Sequence, residues 1–269
     1  MYFLYAIILA IVQAVTEFWP VSSSGHLVIL HQILPLNQIN ALSFDIALHL
    51  GTVLALIIFF RQDLKKYFLA FLQMFRSFNL GNDEQKTVLN LLVATVPAVL
   101  AGYFLDYYIE LYFRSLLVVS ISLIVGAIII FIVEKWSRKT ASFEGLSIPE
   151  AIIIGCAQAL ALIPGVSRSG STIITGMVLK LKRSEAAKFS FLLSIPIVLG
   201  AGIKKMLDIS IFTLEKTEQY LFLVGFLTAF IVGYLIIKYF LKFLEKHSLS
   251  VFAWYRIILG IVILLIALL

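Results

Sequence analysis

Apolar segments long enough to cross a membrane recur along this chain, and they restrict its fold more than any other feature of the sequence. A helix needs about 20 mostly apolar residues to span the hydrocarbon core. Hydrophobic residues make up 61% of the chain and charged residues only 13%, a composition that is not found in soluble domains. We therefore predict an all-α polytopic membrane protein. The predicted spans are residues 43–60, 88–105, 114–133, 186–206, 218–240 and 250–269.

Two polar stretches interrupt apolar segments, Gln13–His26 (QAVTEFWPVSSSGH) and Gln158–Thr172 (QALALIPGVSRSGST). Both contain proline, glycine and several hydroxyl side chains. A charged side chain at the centre of a bilayer costs about 2.5–3.5 kcal/mol on insertion scales. Because Glu17, His26 and Arg168 lie in these stretches, we expect them to be functional residues.

The apolar runs beside each polar stretch are too short to cross a membrane. They cover residues 2–18 and 26–34 around the first stretch, and 149–163 and 171–180 around the second. Irregular backbone is tolerated at membrane depth only where it lines a cavity or is buried in protein. We predict that each pair of runs forms a re-entrant helix-loop-helix. The alternative for the first pair is a kinked spanning helix followed by a surface loop.

The second polar stretch repeats the first at a constant offset of 145 residues. Gln13 aligns with Gln158, and Ser22 aligns with Ser167. Each copy is followed by three predicted spans, and because three is odd, the second copy must enter the membrane from the opposite face. We predict two inverted repeats, an arrangement that places sites near the midplane. The repeats cover about residues 1–133 and 149–269, with a cytoplasmic loop at 134–148, in a single membrane domain of residues 1–269.

Basic residues give an independent prediction of orientation. The segments on one side of the predicted membrane hold fourteen Lys and Arg residues, within 61–86, 134–139, 180–183 and 238–246. The other side holds five, namely Arg114, Lys204, Lys205, Lys216 and Arg256. Since cytoplasmic loops are enriched in Lys and Arg, both termini and the first hairpin are predicted to face outside. The net charge of +6 is explained in this way, and no nucleic-acid partner is expected.

The first polar stretch carries a candidate metal site and a candidate nucleophile. Gln13 and Glu17 are four residues apart and share a helix face, and their oxygens suit Mg2+ or Ca2+ completed by phosphate oxygens. A hydroxyl beside an imidazole is the minimal activated nucleophile, so Ser23 is the predicted nucleophile and His26 the general acid or base. The alternative is that the serines only line the loop, with Ser24 as a helix N-cap.

Arg168 is the corresponding candidate of the second stretch. A guanidinium matches phosphate oxygens in a bidentate manner, and the N-terminus of a half-helix adds free N–H groups. Two such N-termini and one arginine would converge on a multiply charged anion, with phosphate or diphosphate as the leading candidates. The alternative partner of Arg168 is Glu17. The predicted phosphate-binding residues are Ser22, Ser24, Ser167, Ser169 and Thr172. Asp45 and His49 share a helix face and are predicted to contact the site residues without binding the substrate themselves.

These motifs resemble the undecaprenyl-diphosphate phosphatase family of the bacitracin-resistance type. The first motif of that family, Glu/Gln-x-x-x-Glu followed by Phe-x-Pro-Val-Ser-Ser-x-Gly-His, is present at Gln13–His26. The second, Pro-Gly-x-Ser-Arg-Ser-x-x-Thr, is present without a mismatch at Pro164–Thr172. A similar segment, FSFLLSIP, follows at 189–196, so the resemblance covers the whole chain.

The resemblance implies a metal-dependent bacterial enzyme at the outer face of the plasma membrane. Its substrate would be undecaprenyl diphosphate, hydrolysed to undecaprenyl phosphate and inorganic phosphate, which recycles the carrier for cell-wall polymers and confers bacitracin resistance. Glu17 would serve the metal and diphosphate, Ser23 would attack the terminal phosphorus, His26 would handle the proton and Arg168 would hold phosphate. Gln13 is the neutral option of the first motif, so the site has one carboxylate fewer.

Three rival functions fit the same residues less well. Inverted repeats with broken helices are typical of secondary transporters, so the site could instead carry an anion or a lipid phosphate. A protein that only sequesters the lipid would not need Ser23 or His26, and a membrane-embedded protease would have no role for Arg168. A homodimer is compatible with the sequence, which carries no signature of one.

Overall fold

The computed structural model describes residues 2–33, 41–77, 79–208 and 216–268. Within these ranges the regular elements are helices, joined by short loops, a 3-10 turn at Phe143–Gly145 and one β-bridge between Ala141 and Leu181. The helices are α1 (Tyr2–Phe18), α2 (Ser23–Ile33), α3 (Ala41–Phe59), α4 (Arg61–Met74), α5 (Asp83–Phe113), α6 (Leu116–Trp136), α7 (Ile148–Leu160), α8 (Arg168–Val178), α9 (Arg183–Asp208), α10 (Lys216–Lys246) and α11 (Ser250–Leu268). The predicted ends at residues 34 and 269 lie outside the described residues.

The prediction of an all-α membrane protein is confirmed. In the part of the chain that the structure describes, five helices are long and apolar enough to span a membrane: α5, α6, α9, α10 and α11. Helices α3 and α4 pass the same test as a pair, although they are bent by 80° at their junction. Every predicted span therefore corresponds to a helix, and α3 turns sharply into α4 where the basic segment begins.

The connection between the predicted spans at 88–105 and 114–133 is helical. The acidic residues Asp106 and Glu110 of this connection favour a short turn, and that prediction is wrong, because helix α5 continues to Phe113. No glycine or proline lies between positions 104 and 113, so nothing in the local sequence stops the helix. The chain turns only at Arg114, and the side chain of Ser115 then caps α6 by accepting a hydrogen bond from the Val118 N–H at 3.2 Å.

The two predicted broken segments are present as pairs of short helices. Helix α1 ends two residues before Pro20, and α2 begins at Ser23; α7 ends before Pro164, and α8 begins at Arg168. Because neither α1 nor α7 reaches the length of a span, both pairs have the form expected of re-entrant hairpins. Their depth in the membrane stays a prediction.

The packing of the helices is reciprocal between the two halves of the chain. Helix α1 packs against α10, and α7, its counterpart in the second half, packs against α5, which is the counterpart of α10. This pairing agrees with two related halves, and their inverted orientation stays a prediction. A Cβ atom at Gly155 of α7 would lie 2.3 Å from the Ala94 carbonyl oxygen of α5. Small residues permit such close backbone contact between membrane helices.

We expect Gly155→Ala to destabilise the protein, because the obstructing atom is backbone and the α5–α7 contact must separate to admit a methyl group. Overpacking of this kind costs about 1–3 kcal/mol. Gly200→Ala in α9 is the matched control, since nothing lies within 4 Å of the added Cβ. Thermal unfolding in detergent, followed by intrinsic fluorescence, checks the comparison. Equal midpoints for the two variants would contradict the close contact.

Candidate active site

The two loops that separate the half-helices have the same local geometry. Ser22 and Ser167, which are matched by the repeat, both have positive φ angles, 72° and 75°. The Ser22 hydroxyl accepts a hydrogen bond from the Gly25 N–H at 3.3 Å, and Ser167 accepts one from the Gly170 N–H at 3.1 Å. Ser22, rather than Ser24, therefore caps the first half-helix. A non-glycine residue in this backbone region costs about 1–3 kcal/mol and is typical of functional sites.

This shared geometry places Ser23 and Arg168 at equivalent positions, as the first residues of α2 and α8. Both side chains reach Glu17, which is 7% exposed. The Ser23 hydroxyl donates to Glu17 Oε2 at 2.6 Å, and Arg168 Nη2 donates to Oε1 at 2.7 Å. The carboxylate of Glu17 in α1 thus joins the first residue of α2 to the first residue of α8. Glu17 is the alternative partner that the sequence analysis gave for Arg168.

Two more of the predicted site residues contact the same carboxylate. Gln13 Nε2 donates to Glu17 Oε2 at 3.2 Å, as expected for residues one helical turn apart. His49 Nε2 lies 3.5 Å from the same oxygen. The structure therefore gathers Gln13, Ser23, His49 and Arg168 around Glu17, although these residues belong to four different helices.

Two buried polar atoms next to Glu17 have no hydrogen-bond partner among the described residues. They are Gln13 Oε1, an acceptor, and Arg168 Nη1, a donor. An unpaired buried polar group is costly, about 1–3 kcal/mol. The acceptor suits a cation and the donor suits a phosphate oxygen, so this pair of atoms fits a bound metal diphosphate.

The donor set also fits the kind of metal that was predicted. In the described part of the chain, no three His, Cys, Asp or Glu side chains form a group that could hold a metal ion. Mg2+ is commonly bound by one or two carboxylates together with substrate phosphates. Glu17 supplies one carboxylate and Gln13 Oε1 one neutral oxygen, so a diphosphate would have to complete the metal site.

His26 does not pair with Ser23, contrary to the expected serine–imidazole arrangement. Its Nδ1 lies 2.7 Å from the Ser22 carbonyl oxygen, and its Nε2 lies 2.7 Å from the Tyr255 hydroxyl. The basic group that accepts the Ser23 hydrogen is Glu17. His26 lies one helical turn after Ser22, so its ring bonds to the Ser22 carbonyl oxygen instead of to the Ser23 hydroxyl.

The remaining predicted residues fix the loops in place. Ser169 donates to the Trp19 carbonyl oxygen at 2.9 Å and so joins the second loop to the first. The Thr172 hydroxyl lies 2.8 Å from the Arg168 carbonyl oxygen and 2.6 Å from the Ser190 hydroxyl of α9. Further hydroxyl contacts link Ser22 with Ser24 at 3.2 Å and Ser167 with Ser169 at 3.3 Å. These hydroxyl groups are engaged within the protein.

Asp45 and His49 do not bond to each other through their side chains. His49 Nδ1 bonds to the backbone carbonyl of Asp45 at 2.7 Å, while the Asp45 carboxylate lies 3.3 Å from His31 Nε2. Only His49 therefore touches the group around Glu17. Asp45 is linked to this group only indirectly, through the bond between its backbone carbonyl and His49.

Arg256 is the largest feature that sequence reasoning missed. It was assigned to an outside helix end, but its side chain is completely buried in the protein. Its guanidinium donates five hydrogen bonds of 3.0–3.2 Å to carbonyl oxygens. The acceptors are Pro20 in the first loop, Gly165 and Val166 in the second, and Ser122 and Leu123 in α6. A single arginine within the apolar run at 250–269 was the available signal.

The sequence of this chain matches a known family over almost its whole length. The family model described as bacitracin resistance protein BacA matches residues 6–262. The chain belongs to the BacA family. The resemblance inferred from the two motifs is thereby confirmed, and both loops and Arg256 lie within the matched region.

Relatives of this BacA family chain carry a consistent name. A protein of Rubrobacter xylanophilus named undecaprenyl-diphosphatase is 43% identical over 259 residues, covering 96% of this chain and 95% of the relative. Proteins of the same name from Gemmatimonas aurantiaca and Elusimicrobium minutum are 42% and 41% identical, covering 96% and 98% of this chain and 95% and 97% of the relatives. This chain therefore covers nearly the full length of these relatives.

We expect Arg256→Lys to lower the stability of the fold even though the positive charge is kept. Lysine carries three donors on one atom, whereas arginine has five in a planar fork, so carbonyl groups of both loops lose their partner. Each buried group left unpaired costs about 1–3 kcal/mol. Thermal unfolding in detergent is the measurement, and Arg76→Lys, at an exposed arginine, is the control. A midpoint equal to that of the control would show that the five bonds are dispensable.

Proposed function

We propose that this protein hydrolyses undecaprenyl diphosphate to undecaprenyl phosphate and inorganic phosphate at the outer face of the bacterial plasma membrane. Its membership of the BacA family and the shared name of its relatives support a phosphatase that acts on a diphosphate. Bacitracin resistance and recycling of the cell-wall lipid carrier are the proposed biological roles. The outer face and the outside position of both termini rest on the distribution of Lys and Arg.

One observation carries the proposal: Glu17 accepts hydrogen bonds from both Ser23 and Arg168 at the junction of the two loops. The three groups supply a base, a hydroxyl nucleophile and a cation within one buried cluster. A protein that only binds a lipid diphosphate needs the cation but not a hydroxyl already bonded to a base. Chemistry therefore explains this cluster better than binding alone.

In the proposed reaction, the Ser23 hydroxyl attacks the terminal phosphorus and its proton passes to Glu17. A bond forms between Ser23 Oγ and phosphorus, and the bridging P–O bond breaks with its electron pair going to undecaprenyl phosphate. Arg168 holds the phosphate oxygens through Nη1 and stabilises the charge that develops as the bond breaks. Water then attacks the phosphoserine and gives a proton to His26 Nε2, the bond between phosphorus and Ser23 Oγ breaks, Glu17 returns its proton to Oγ, and inorganic phosphate is released.

A divalent metal, Mg2+ or Ca2+, is proposed as the cofactor. Glu17 and Gln13 Oε1 are the residues that would hold it. When bound, such a metal neutralises phosphate charge and assists departure of the lipid phosphate. The chain's own residues would then have to orient only the reacting hydroxyl and the proton acceptors.

A second candidate is transport of a lipid phosphate or another anion through the same site. The reciprocal packing of the two halves and their two broken helices favour it, because transporters often show this arrangement. A transporter would bind the lipid without consuming it. Release of inorganic phosphate from the purified protein separates the two functions.

We expect wild-type protein in detergent to release phosphate from undecaprenyl diphosphate with Mg2+ or Ca2+ and not with a chelator. Glu17→Ala, Ser23→Ala, His26→Ala and Arg168→Ala should each lower kcat by about 100-fold or more, given the usual effects of removing an acid–base group or a charged donor. Ser77→Ala, at an exposed serine, controls for hydroxyl removal. If Ser23→Ala alone stayed active, His26 or water would be the nucleophile. Binding of the lipid without phosphate release would support transport.

We also expect Gln13→Glu to lower the metal concentration that gives half-maximal activity. The change adds a second carboxylate one helical turn from Glu17, and hard cations prefer anionic oxygen ligands. Direct titration of Mn2+ binding in the presence of a diphosphate provides a second measurement. Gln62→Glu in α4, at an exposed glutamine, is the control for added charge. Unchanged metal dependence would separate Gln13 from the metal site.

A further inference from the structure

The hydrogen bonds of His26 define its tautomer. Its Nδ1 lies 2.7 Å from the Ser22 carbonyl oxygen, and because a carbonyl only accepts, Nδ1 must carry a hydrogen. In the neutral imidazole the other nitrogen, Nε2, is then an acceptor. The group that lies 2.7 Å from Nε2 is the Tyr255 hydroxyl, which therefore donates its hydrogen to His26.

The backbone of Tyr255 is held firmly with respect to the first loop. The next residue, Arg256, is bonded to the Pro20 carbonyl oxygen of that loop at 3.0 Å. The rings of Tyr255 and His26 are nearly parallel, with an interplanar angle of 5° and centroids 5.7 Å apart. Tyr255 is thus fixed to His26 by ring contact, by its hydroxyl and by the neighbouring arginine.

Tyr255 also connects the buried imidazole with the surface of the protein. His26 is 8% exposed, whereas Tyr255 is 45% exposed. The reaction proposed above needs His26 Nε2 as a proton acceptor, and the proton must leave afterwards. The Tyr255 hydroxyl keeps Nε2 hydrogen-bonded until the attacking water replaces it, and part of the phenol ring lies at the protein surface.

We propose that Tyr255 is a positioning residue for His26: its hydroxyl donates to Nε2 and, together with the Ser22 carbonyl at Nδ1, holds the ring in the Nδ1–H tautomer until the attacking water takes the place of the phenol at Nε2. The inference rests on the proposed phosphatase activity for its role in the reaction. The tautomer that it assigns to His26 depends only on the hydrogen bonds. Activity and tautomer can therefore be tested separately.

The kinetic test is Tyr255→Phe, which removes the hydroxyl and keeps the ring against His26. We expect kcat for phosphate release to fall about tenfold, the effect of losing one hydrogen bond, while KM stays within about twofold of wild type. Tyr239→Phe in α10, at an exposed tyrosine, should match wild type. An unchanged kcat would overturn the proposal. So would a rise in KM accompanied by a lower thermal midpoint, because that result indicates a purely structural role.

The second test reads the tautomer without the reaction. In protein labelled with 15N-histidine, the signal of His26, assigned by its loss in His26→Gln, should show a protonated Nδ1 and an unprotonated Nε2. Because the Ser22 carbonyl still accepts from Nδ1–H, Tyr255→Phe should keep this tautomer and shift only the Nε2 signal, toward that of an acceptor without a donor. A protonated Nε2 in wild type would overturn the proposal. If wild type released no phosphate but kept the Nδ1–H signal, the proposed reaction would fail while the contact between Tyr255 and His26 would stand.

Discussion

The ion pair between Glu17 and Arg168 is the interaction on which the arrangement of the site depends. It joins a half-helix of the first part of the chain to a half-helix of the second at 2.7 Å. Either charge alone would be very unfavourable in this buried position, since removing one partner of such a pair costs about 3–5 kcal/mol. The pair therefore holds the two broken segments together.

Arg256 provides hydrogen-bond donors for backbone carbonyl groups of the same two loops. A broken helix exposes carbonyl groups that a continuous helix would satisfy, and such groups are costly away from water. Arg256 bonds to carbonyl oxygens of both loops and of α6 at once. It fits beside α6 because residue 126 is glycine, where a Cβ atom would lie 2.0 Å from the guanidinium. Arg168 thus joins the two broken segments through its ion pair with Glu17, and Arg256 joins the two loops through their backbone carbonyl groups.

The sequence predicted the elements of this structure better than their contacts. Spans and half-helices were predictable because apolar length and the positions of Pro20 and Pro164 are local properties. The group around Glu17 was predictable in part because its members, except His49, lie in two polar stretches that repeat. Tyr255 and Arg256 were missed because they lie more than 200 residues from the first loop and in an ordinary apolar span. Ser23 pairs with Glu17 instead of His26 because both ring nitrogens of His26 are engaged elsewhere, with the Ser22 carbonyl oxygen and the Tyr255 hydroxyl.

The contacts of Arg168 suggest how a bound diphosphate would change the site. Arg168 uses Nη2 on Glu17 and leaves Nη1 without a partner among the described residues, so a phosphate can bind the guanidinium before the ion pair is broken. In the proposed reaction, a phosphate that takes over Arg168 leaves Glu17 with the Ser23 hydroxyl, which is already bonded to it at 2.6 Å. The ion pair would then be exchanged for contacts with phosphate, while the proposed base and nucleophile stay bonded to each other.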